Sequence, residues 1–395
     1  MHDYSYYKNI FTDQRLPLAF VDMDLLDKNI DVNLNRAGST HIRIASKSIR
    51  CSQVMHYIFS KSPQFQGIMA FYGEEAVALS KDGFDDILMG YPISDSTQIE
   101  AMGQEIKAGK YLCLMIDSPQ HLEIIEPIGK KLGIQFPICI DMDMSIDFGS
   151  LHFGVWRSPI NDQTKLGELL DAIKAFKHVR LDGLMGYEAQ IAGLGNQMKG
   201  KALMNRIISF LQKKSIPKVA ERRAKALELI KEKGFELKFV NGGGTGSIES
   251  TIQEEGVTEV TVGSGFFNSH LFDYYSHFQL EPAAAFAIPI ARIPKQDMYT
   301  AHGGGYIASG GIDPVKAPLP YLPAGLKMDK NEGAGEVQTP LYYKGPDKLE
   351  IGDPVFFRHC KAGELCERFN ELHFVREGKI INSVPTYRGE GKCYL

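Results

Sequence analysis

The stretch "KVAERRAKALELIKEKGFELKFVNGGGTGS", from Lys218 to Ser247, holds one repeat of the pattern that decides the fold. Its first part places apolar residues on one helical face and ends at Gly234, a residue type that often terminates helices. A short apolar run then leads into three consecutive glycines, which predicts a buried strand followed by a tight turn. A helix that returns the chain to a new strand is the building unit of a parallel sheet.

The same alternation runs from residue 19 to about residue 265 and gives nine predicted strands. They are "AFVDM", "HIRIASK", "GIMAFYG", "DILMGYP", "KYLCLMID", "FPICIDMDM", "VRLDGLMGYE", "LKFVNGGG" and "VTEVTVGSG". The segments between them mostly show helical spacing, so the strands are joined by crossovers and must be parallel. About eight such repeats favour a closed α/β barrel of the triosephosphate-isomerase type, (β/α)8, over an open doubly wound sheet.

After about residue 276 the sequence changes to proline, glycine and residues that favour strands, as in "PAAAFAIPIARI" and "ELHFVREGKIINSVPTYRG". This composition predicts an antiparallel β domain, with a hairpin in "VREGKII" that turns at Glu377 and Gly378. The predicted domains are therefore a barrel over residues 1–275 and a β domain over residues 276–395. Residues 1–18 are a candidate to pack on the second domain.

The composition is that of an ordinary globular protein of 395 residues, with 44% hydrophobic and 23% charged residues and a net charge of −4. A chain without a basic excess is not typical of nucleic-acid or membrane-surface binders, so its expected partners are small molecules and copies of itself. Six cysteines without a CxxC pair favour a reducing compartment, which predicts the cytoplasm. We expect neither a signal peptide nor a membrane span.

In a barrel of this type, chemistry gathers where the strands end. Lys47, Tyr187, Asn241 to Gly244, and Gly263 to Gly265 all fall at or just beyond the ends of predicted strands. This placement predicts a ligand site at one face of the barrel.

The glycine-rich turn "NGGGTGS", Asn241 to Ser247, has the features of a phosphate cradle. Glycines let the backbone approach a ligand, and Thr245 and Ser247 offer hydroxyls where a following helix would begin. The turn matches neither the P-loop nor the dinucleotide fingerprint. A tight turn before a buried helix is the alternative explanation. The turn "VGSGFF", Val262 to Phe267, follows the next strand and could complete the same pocket.

Lys47, in "RIASKSIR", lies at the end of an early strand. A lysine in such a place is usually only solvated. Together with a phosphate cradle, however, it suggests pyridoxal 5′-phosphate, whose aldehyde needs a lysine and whose phosphate needs a cradle. The neighbouring Arg43 and Arg50 could depress the lysine pKa, bind a substrate carboxylate or simply be exposed.

Several motifs resemble the alanine-racemase-type, fold-type III pyridoxal phosphate enzymes. They include "LPLAFVDMDLLDKNI", "RIASKSIR", "GLMGYEAQ", "GGGTGS", "VGSGFF" and "VPTYRGEGK", in that group's order. "GGGTGS" is similar to the phosphate loop of D-threonine aldolases and D-serine dehydratases, and "HGGGYIASG" and "EGAGEVQTPL" resemble a bacterial amino acid deaminase/aldolase branch. The resemblance implies that Lys47 is catalytic and cofactor-binding. It implies further cofactor contacts at Tyr187, Gln190, Asn241, Gly242, Gly243, Gly244, Thr245, Gly263, Ser264 and Gly265.

One segment departs from the relatives, which have an Asp–Gly–x–x–Arg–x–Gly-like sequence after a central strand. This chain has "DMDMSIDFGSLHFGVWR", Asp141 to Arg157, with His152 near the expected arginine. Asp141 and Asp143 lie on the same side of a strand and could both face the barrel mouth. The alternative is a solvated acidic strand end.

A divalent metal is also implied by the resemblance, through a His followed two positions later by Cys or Asp. Here "RHCKAGELCERF" has Lys361 at that second position, so the spacing is broken. His359 is the best first ligand, and Cys366 could return across the loop to share an ion with it. The predicted ion is zinc or manganese.

We therefore predict a pyridoxal-phosphate lyase that dehydrates a small β-hydroxy D-amino acid or cleaves it by a retro-aldol reaction, and that acts as a homodimer. An amino acid racemase would share the barrel and the lysine but needs a second acid/base, for which Tyr299, Tyr306 or a cysteine is available. The rivals of other classes are a non-catalytic pyridoxal-phosphate-binding protein and a phosphate-sugar aldolase.

Overall fold

A computed structural model describes residues 2–311 and 313–394, with Ala362 described by its backbone alone. The chain divides into two compact units. The sheet unit comprises the residues up to Val32, Ser48–Val54 and Ser264–Cys393; the barrel unit comprises Asn33–Lys47 and Met55–Gly263, with Tyr394.

Both units contain β-strands. In chain order they are β1 (Leu18–Asp22), β2 (His41–Ala45), β3 (Phe65–Ala70), β4 (Ile87–Pro92), β5 (Leu112–Ile116), β6 (Phe136–Asp141), β7 (Ile146–Phe148), β8 (Leu151–Phe153), β9 (Val179–Gly186), β10 (Phe239–Gly242), β11 (Glu259–Val262), β12 (Ala284–Lys295), β13 (Met298–His302), β14 (Leu319–Leu322), β15 (Lys327–Met328), β16 (Gln338–Tyr342), β17 (Pro354–Arg358), β18 (Glu371–Arg376) and β19 (Lys379–Pro385).

Helices connect most of the barrel strands, and others lie in the sheet unit. In chain order the helices are α1 (Tyr4–Ile10), α2 (Met23–Ala37), α3 (Ser52–Phe59), α4 (Gly73–Lys81), α5 (Ser96–Lys107), α6 (Pro119–Leu132), α7 (Gln163–Ile173), α8 (Ala189–Ala192), α9 (Ala202–Glu232), α10 (Ile248–Thr251), α11 (Ser264–Phe267) and α12 (Ala362–Leu365), with 3-10 turns at Ser46–Ser48, His270–Tyr274 and Pro314–Lys316.

The barrel is closed by parallel strands in the order β2–β3–β4–β5–β6–β9–β10–β11, with β11 pairing back onto β2. Strands β5 and β6 are buried along their whole length, because both faces of a parallel barrel are covered. The prediction of an (β/α)8 barrel is confirmed. Helix α9 ends at Glu232, just before Gly234, which has a φ of 82°, but it begins at Ala202 and passes through Pro217, earlier than the sequence pattern predicts.

The first of the nine predicted strands, "AFVDM", forms β1 but takes no part in the barrel. Strand β1 pairs antiparallel with β12 and parallel with β18, inside the sheet unit. Its apolar residues look like those of a barrel strand, and only these distant pairings separate the two cases. The sheet unit includes the N-terminal residues up to Val32, whereas the sequence predicts a boundary between residues 275 and 276 and marks only residues 1–18 as candidates to pack on the β domain.

The sheet unit is built on nine strands in the path β15–β16–β13–β12–β1–β18–β19, with β17 pairing to β12 and β14 pairing to β17. Among the described residues of this sheet, every pairing except that of β1 with β18 is antiparallel. The predicted hairpin joins β18 and β19, and Glu377 and Gly378 both have positive φ, at 48° and 76°. Two positive φ values are typical of the tight turns that fit strand twist.

Candidate active site at the mouth of the barrel

Lys47 lies just beyond β2, in the 3-10 turn Ser46–Ser48. The hydroxyl of Ser46 donates to the carbonyl of Met69, 3.0 Å away, and ties this turn to β3. The Lys47 ammonium is exposed and donates to the Tyr91 hydroxyl at 3.0 Å. The structure therefore places Lys47 at the carboxyl end of its strand, with a phenol as an immediate partner.

Tyr91 and Arg157 come to Lys47 from different segments of the barrel unit. Tyr91 is near the end of β4, and the Arg157 guanidinium lies 5.0 Å from its ring centroid and 5.5 Å from that of Tyr187. Arg157 also donates to the carbonyl of Gly90 at 2.7 Å. Burial alone would raise the pKa of Tyr91, but the charges of Lys47 and Arg157 bring it below its usual value. The phenol is thus poised to exchange a proton with the lysine.

Asp141 and Asp143 are both buried, so a solvated acidic strand end is the wrong interpretation. Asp141 pairs with the Arg157 guanidinium at 3.0 Å, whereas Asp143 accepts from the backbone N–H groups of Ser145 and Arg157 at 2.8 and 2.9 Å. The two carboxylates fix the loop that carries Arg157.

His152 does not take the position of the expected arginine. It pairs with Asp147 at 2.8 Å and stacks on Trp156 with ring centroids 3.6 Å apart. Arg157 is instead the arginine that reaches the site, because the β7–β8 excursion displaces it along the sequence from the place where the relatives' pattern predicts it.

Arg43 and Arg50 are buried and engaged by carboxylates, so the alternative that they are simply exposed is wrong. Arg43 is buried and pairs with Glu259 at 2.7 Å and with Asp86 at 3.1 Å. In the sheet unit, the Arg50 guanidinium pairs with Glu367.

The glycine loop after β10 presents backbone rather than side chains. Gly243 has a φ of +73°, which L side chains rarely adopt. A Cβ at Gly242 would lie 2.8 Å from a methyl carbon of Thr251, and one at Gly244 would lie 3.0 Å from the Ala192 side chain and 3.1 Å from the Tyr187 ring. A side chain at any of these three positions would be strained or crowded, and the loop lies against Tyr187.

The polar groups of this loop make separate hydrogen bonds. Asn241 donates to Glu259 and to Thr261, each at 2.8 Å, which links β10 to β11. The carbonyl of Thr245 accepts from Arg36 at 2.6 Å. The Ser247 hydroxyl accepts from the Gly244 N–H at 3.1 Å. The helix predicted to follow, α10, is a single turn, so its dipole adds little for an anion.

Three further predicted cofactor residues surround the same mouth in the barrel unit. Gln190 donates to the carbonyl of Met144 at 2.7 Å, while its buried side-chain oxygen has no hydrogen-bond partner among residues 2–311 and 313–394. Tyr187 follows β9, and burial raises its pKa to about 12. Gly263 follows β11 directly. Ser264 and Gly265 begin α11 in the sheet unit.

The predicted metal ligands, His359 and Cys366, both lie in the sheet unit but have different neighbours. Burial, together with Arg358 and His270, lowers the pKa of His359 to about 3, and neither ring nitrogen has a partner among the described residues. His359 lines a small pocket with Cys360, whereas the thiol of Cys366 has Cys51, Arg50 and Glu367 as its charged or ionisable neighbours. Across the described residues, no group of three His, Cys, Asp or Glu side chains could hold a metal ion. The donor set is not assembled here.

Tyr91 and Arg157 are the functional residues that the sequence reasoning missed. Tyr91 stands at the end of "DILMGYP" and Arg157 is the last residue of "DMDMSIDFGSLHFGVWR". The rule that chemistry gathers at strand ends could have found the tyrosine. The arginine follows a hairpin, and its position depends on the two buried aspartates.

The matching family model is described as alanine racemase, N-terminal domain, and it aligns with residues 21–269. The chain belongs to this family. This confirms the predicted relation to the fold-type III pyridoxal phosphate enzymes. Among the described residues, no helix is long and apolar enough to cross a membrane.

Three similar proteins are informative. 3-Hydroxy-D-aspartate aldolase of Paracoccus denitrificans is 20% identical over 236 residues, which is 58% of this chain and only 54% of that protein. D-Threonine aldolase of Filomicrobium marinum has a TM-score of 0.79 at 16% identity, covering 95% of each chain. D-threo-3-Hydroxyaspartate dehydratase of Delftia sp. HT23 has a TM-score of 0.77 at 16% identity, covering 95% of this chain and 98% of that one. The two structural likenesses establish a shared fold.

The carboxylate of Asp141 should make stability depend on pH. Burial raises its pKa from 3.8 to about 7, even though Arg157 opposes the shift. Between those two values the folded state binds more protons than the unfolded state, so the free energy of unfolding falls as the pH rises, by at most about 4 kcal/mol. Urea unfolding of the wild type and Asp141→Asn from pH 4 to 8 checks this. The variant should lose most of the slope, and an equal slope in both proteins would contradict the assignment.

Proposed function

We propose that this protein is a pyridoxal-phosphate-dependent lyase that acts on a small β-hydroxy D-amino acid, by dehydration or by retro-aldol cleavage. The observation that carries the proposal is the arrangement around Lys47, where one amine, one phenol and a glycine loop without side chains share a barrel mouth. The names of the similar proteins, two aldolases and a dehydratase of hydroxy D-amino acids, support the reaction class.

The residues at the mouth fit the cofactor. The three glycines pack closely against their neighbours in the barrel unit, where a Cβ would be strained or crowded, and a glycine-rich backbone just beyond a strand is suited to approach a phosphate and to offer N–H groups to it. Lys47 supplies the amine that the cofactor aldehyde requires. When bound, pyridoxal phosphate supplies an electron sink for the charge that develops at the substrate α-carbon.

The side chains then divide the remaining work. Lys47 removes the proton from the α-carbon in dehydration, and Tyr91, 3.0 Å away, can take up or return the proton that the amine carries. Arg157 holds a positive charge beside the phenol and is itself fixed by Asp141. This charge favours the phenolate form of Tyr91 and keeps the lysine–phenol pair ready for proton transfer.

The test is a product assay on the purified holoenzyme with D- and L-serine, D- and L-threonine and 3-hydroxy-D-aspartate. We expect a keto acid with ammonia from dehydration, or glycine with an aldehyde from retro-aldol cleavage, from D-substrates only. Loss of optical activity without such products would indicate a racemase. A protein that holds the cofactor and turns over none of these substrates would contradict the lyase proposal.

We also propose that the enzyme is a homodimer or a larger homo-oligomer. The first half of α9 exposes Leu203, Ile207 and Phe210 on one face, and Trp156, next to Arg157, is exposed as well. Residues 189–220 contain six lysines and arginines and no acidic residue. Because the whole chain has a net charge of −4, the rest of it is acidic, so this basic segment of one copy could pair with an acidic surface of another.

The measurement for this proposal is molar mass by light scattering. Phe210→Asp should shift the protein toward the monomer, whereas Ile381→Asp, which changes an exposed apolar residue in β19, should not. A monomeric wild type would refute the proposal.

A divalent ion at His359 and Cys366 stays a prediction. Among the described residues, no group of three His, Cys, Asp or Glu side chains is assembled to hold it. A cysteine-to-alanine variant of a D-threo-3-hydroxyaspartate dehydratase has been solved in a metal-free form, with a TM-score of 0.75 to this chain at 16% identity and coverage of 95% and 98%. The test is elemental analysis of the wild type, His359→Ala and Cys366→Ala. An ion lost in both variants supports the pair, and one retained in both refutes it.

The cytoplasm is the compartment that we propose. Cys51, Cys113, Cys139, Cys360 and Cys366 are buried free thiols. Unpaired thiols are usual where the surroundings are reducing, and cell fractionation checks the assignment.

A further inference from the structure

Glu188 is a buried carboxylate directly after Tyr187 in the barrel unit, with 1% of its surface exposed. One of its oxygens accepts from the hydroxyls of Ser247, at 2.8 Å, and Thr251. The other accepts from the Arg223 guanidinium at 3.1 Å. Three donors fix the carboxylate in place.

Ser247 connects Glu188 to the glycine loop. Its oxygen accepts the Gly244 N–H at 3.1 Å while its proton goes to Glu188. The Ser247 proton is therefore committed to the carboxylate rather than to a ligand. Gly244 lies against the Tyr187 ring, and the Ser247 hydroxyl holds the N–H of this third glycine on its other side.

Arg223 anchors the carboxylate to the barrel. Its side chain is buried, and it donates to the carbonyl of Gly186 at 2.9 Å as well as pairing with Glu254. Two carboxylates share this one guanidinium, so the cluster behind the loop has no excess positive charge that could attract a phosphate. Any affinity that Glu188 provides must therefore come through the geometry of the loop.

We propose that Glu188 is a positioning residue for cofactor binding. Through Ser247 it holds the Gly244 backbone in the conformation that leaves the loop open to the phosphate of pyridoxal phosphate. This inference rests on the proposed function for the identity of the cofactor. It concerns a residue that touches neither the phosphate nor the substrate.

The test uses Glu188→Gln, which keeps the size of the side chain but turns an NH2 group toward either Arg223 or the two hydroxyls, all of which are donors. We expect the holoenzyme variant to lose its cofactor on dilution about 10- to 100-fold faster than the wild type, a loss of the size seen when a residue that orients a metal ligand is removed. The phosphorus NMR signal of the bound cofactor should also shift, because the surroundings of its phosphate change. A role confined to the stability of the fold would leave that signal in place.

Ser247→Ala is the second variant, and it keeps the proposal testable if the first one folds poorly. If Glu188 acts through Ser247, the double variant should lose the cofactor no faster than the worse single variant. Asp182→Asn is the matched control, since Asp182 is another buried carboxylate of the same β9 region and accepts from the Tyr111 hydroxyl at 2.9 Å. It should leave cofactor retention unchanged.

Unchanged or tighter cofactor retention in a folded Glu188→Gln protein would overturn the inference, because the charge would then outweigh the geometry. Additive effects of Glu188→Gln and Ser247→Ala would overturn the route through Ser247. A wild type that holds no pyridoxal phosphate would refute the proposed function itself, which is a separate outcome.

Discussion

Lys47→Ala is expected to lower kcat on the best D-substrate by at least about 10³-fold, because the variant lacks both the amine for the cofactor aldehyde and the base at the α-carbon. The protein should stay folded, since the Lys47 side chain is exposed and its replacement leaves no buried charge unpaired. Single-turnover kinetics measure the loss of activity, and circular dichroism checks that the variant is folded.

Lys238→Ala is the matched control for the loss of a lysine beside a tyrosine. The Lys238 ammonium lies 3.3 Å from the ring centroid of Tyr111, in the same barrel unit, and its removal should leave kcat within about twofold. Borohydride reduction of the wild type should attach the cofactor to the peptide that contains Lys47. Attachment to a different lysine, or full activity in Lys47→Ala, would end the assignment.

The parts of the site that the sequence predicts are those where the residue type is unusual for its place. Three consecutive glycines after a strand have few structural uses, and a lysine at a strand end becomes informative once a phosphate loop accompanies it. Both Lys47 and the Gly242 to Gly244 loop accordingly stand where the pattern predicts them, at the barrel mouth.

The errors came from partners that are distant in sequence. Arg43 lies only four residues from Lys47, but its partner Glu259 is 216 residues away, and nothing near Arg43 announces that pairing. The inclusion of β1 among the barrel strands is an error of the same kind. Its apolar residues fit a barrel, and only its pairing with β12 and β18 places it in the sheet unit.

The carboxylates behind the site share one feature that the sequence could not reveal. Asp141, Asp143 and Glu188 are buried, and each accepts from groups that shape a loop rather than from solvent. Burying an ionised carboxylate is costly unless donors surround it. Such residues therefore mark the loops whose conformation must be fixed, which here carry Arg157 and Ser247.

Gly243→Val is expected to weaken cofactor binding by about 100-fold or more. A valine at a φ of +73° is strained by roughly 2 kcal/mol, so the loop would shift to relieve it. Its Cβ would also lie 3.3 Å from the Thr251 hydroxyl, which donates to Glu188. The strain and the crowding both act on the cradle, and cofactor titration monitored by absorbance measures the loss.

Gly133→Val is the control that separates strain from position in this experiment. Gly133 has a similar φ of +69° at the end of α6, and a Cβ there meets nothing within 4 Å. Both variants should therefore lose comparable stability from the backbone, while only Gly243→Val should lose the cofactor. Equal cofactor affinity in the two folded variants would show that the loop after β10 does not hold the phosphate, and the pyridoxal phosphate site would have to be sought elsewhere on the barrel.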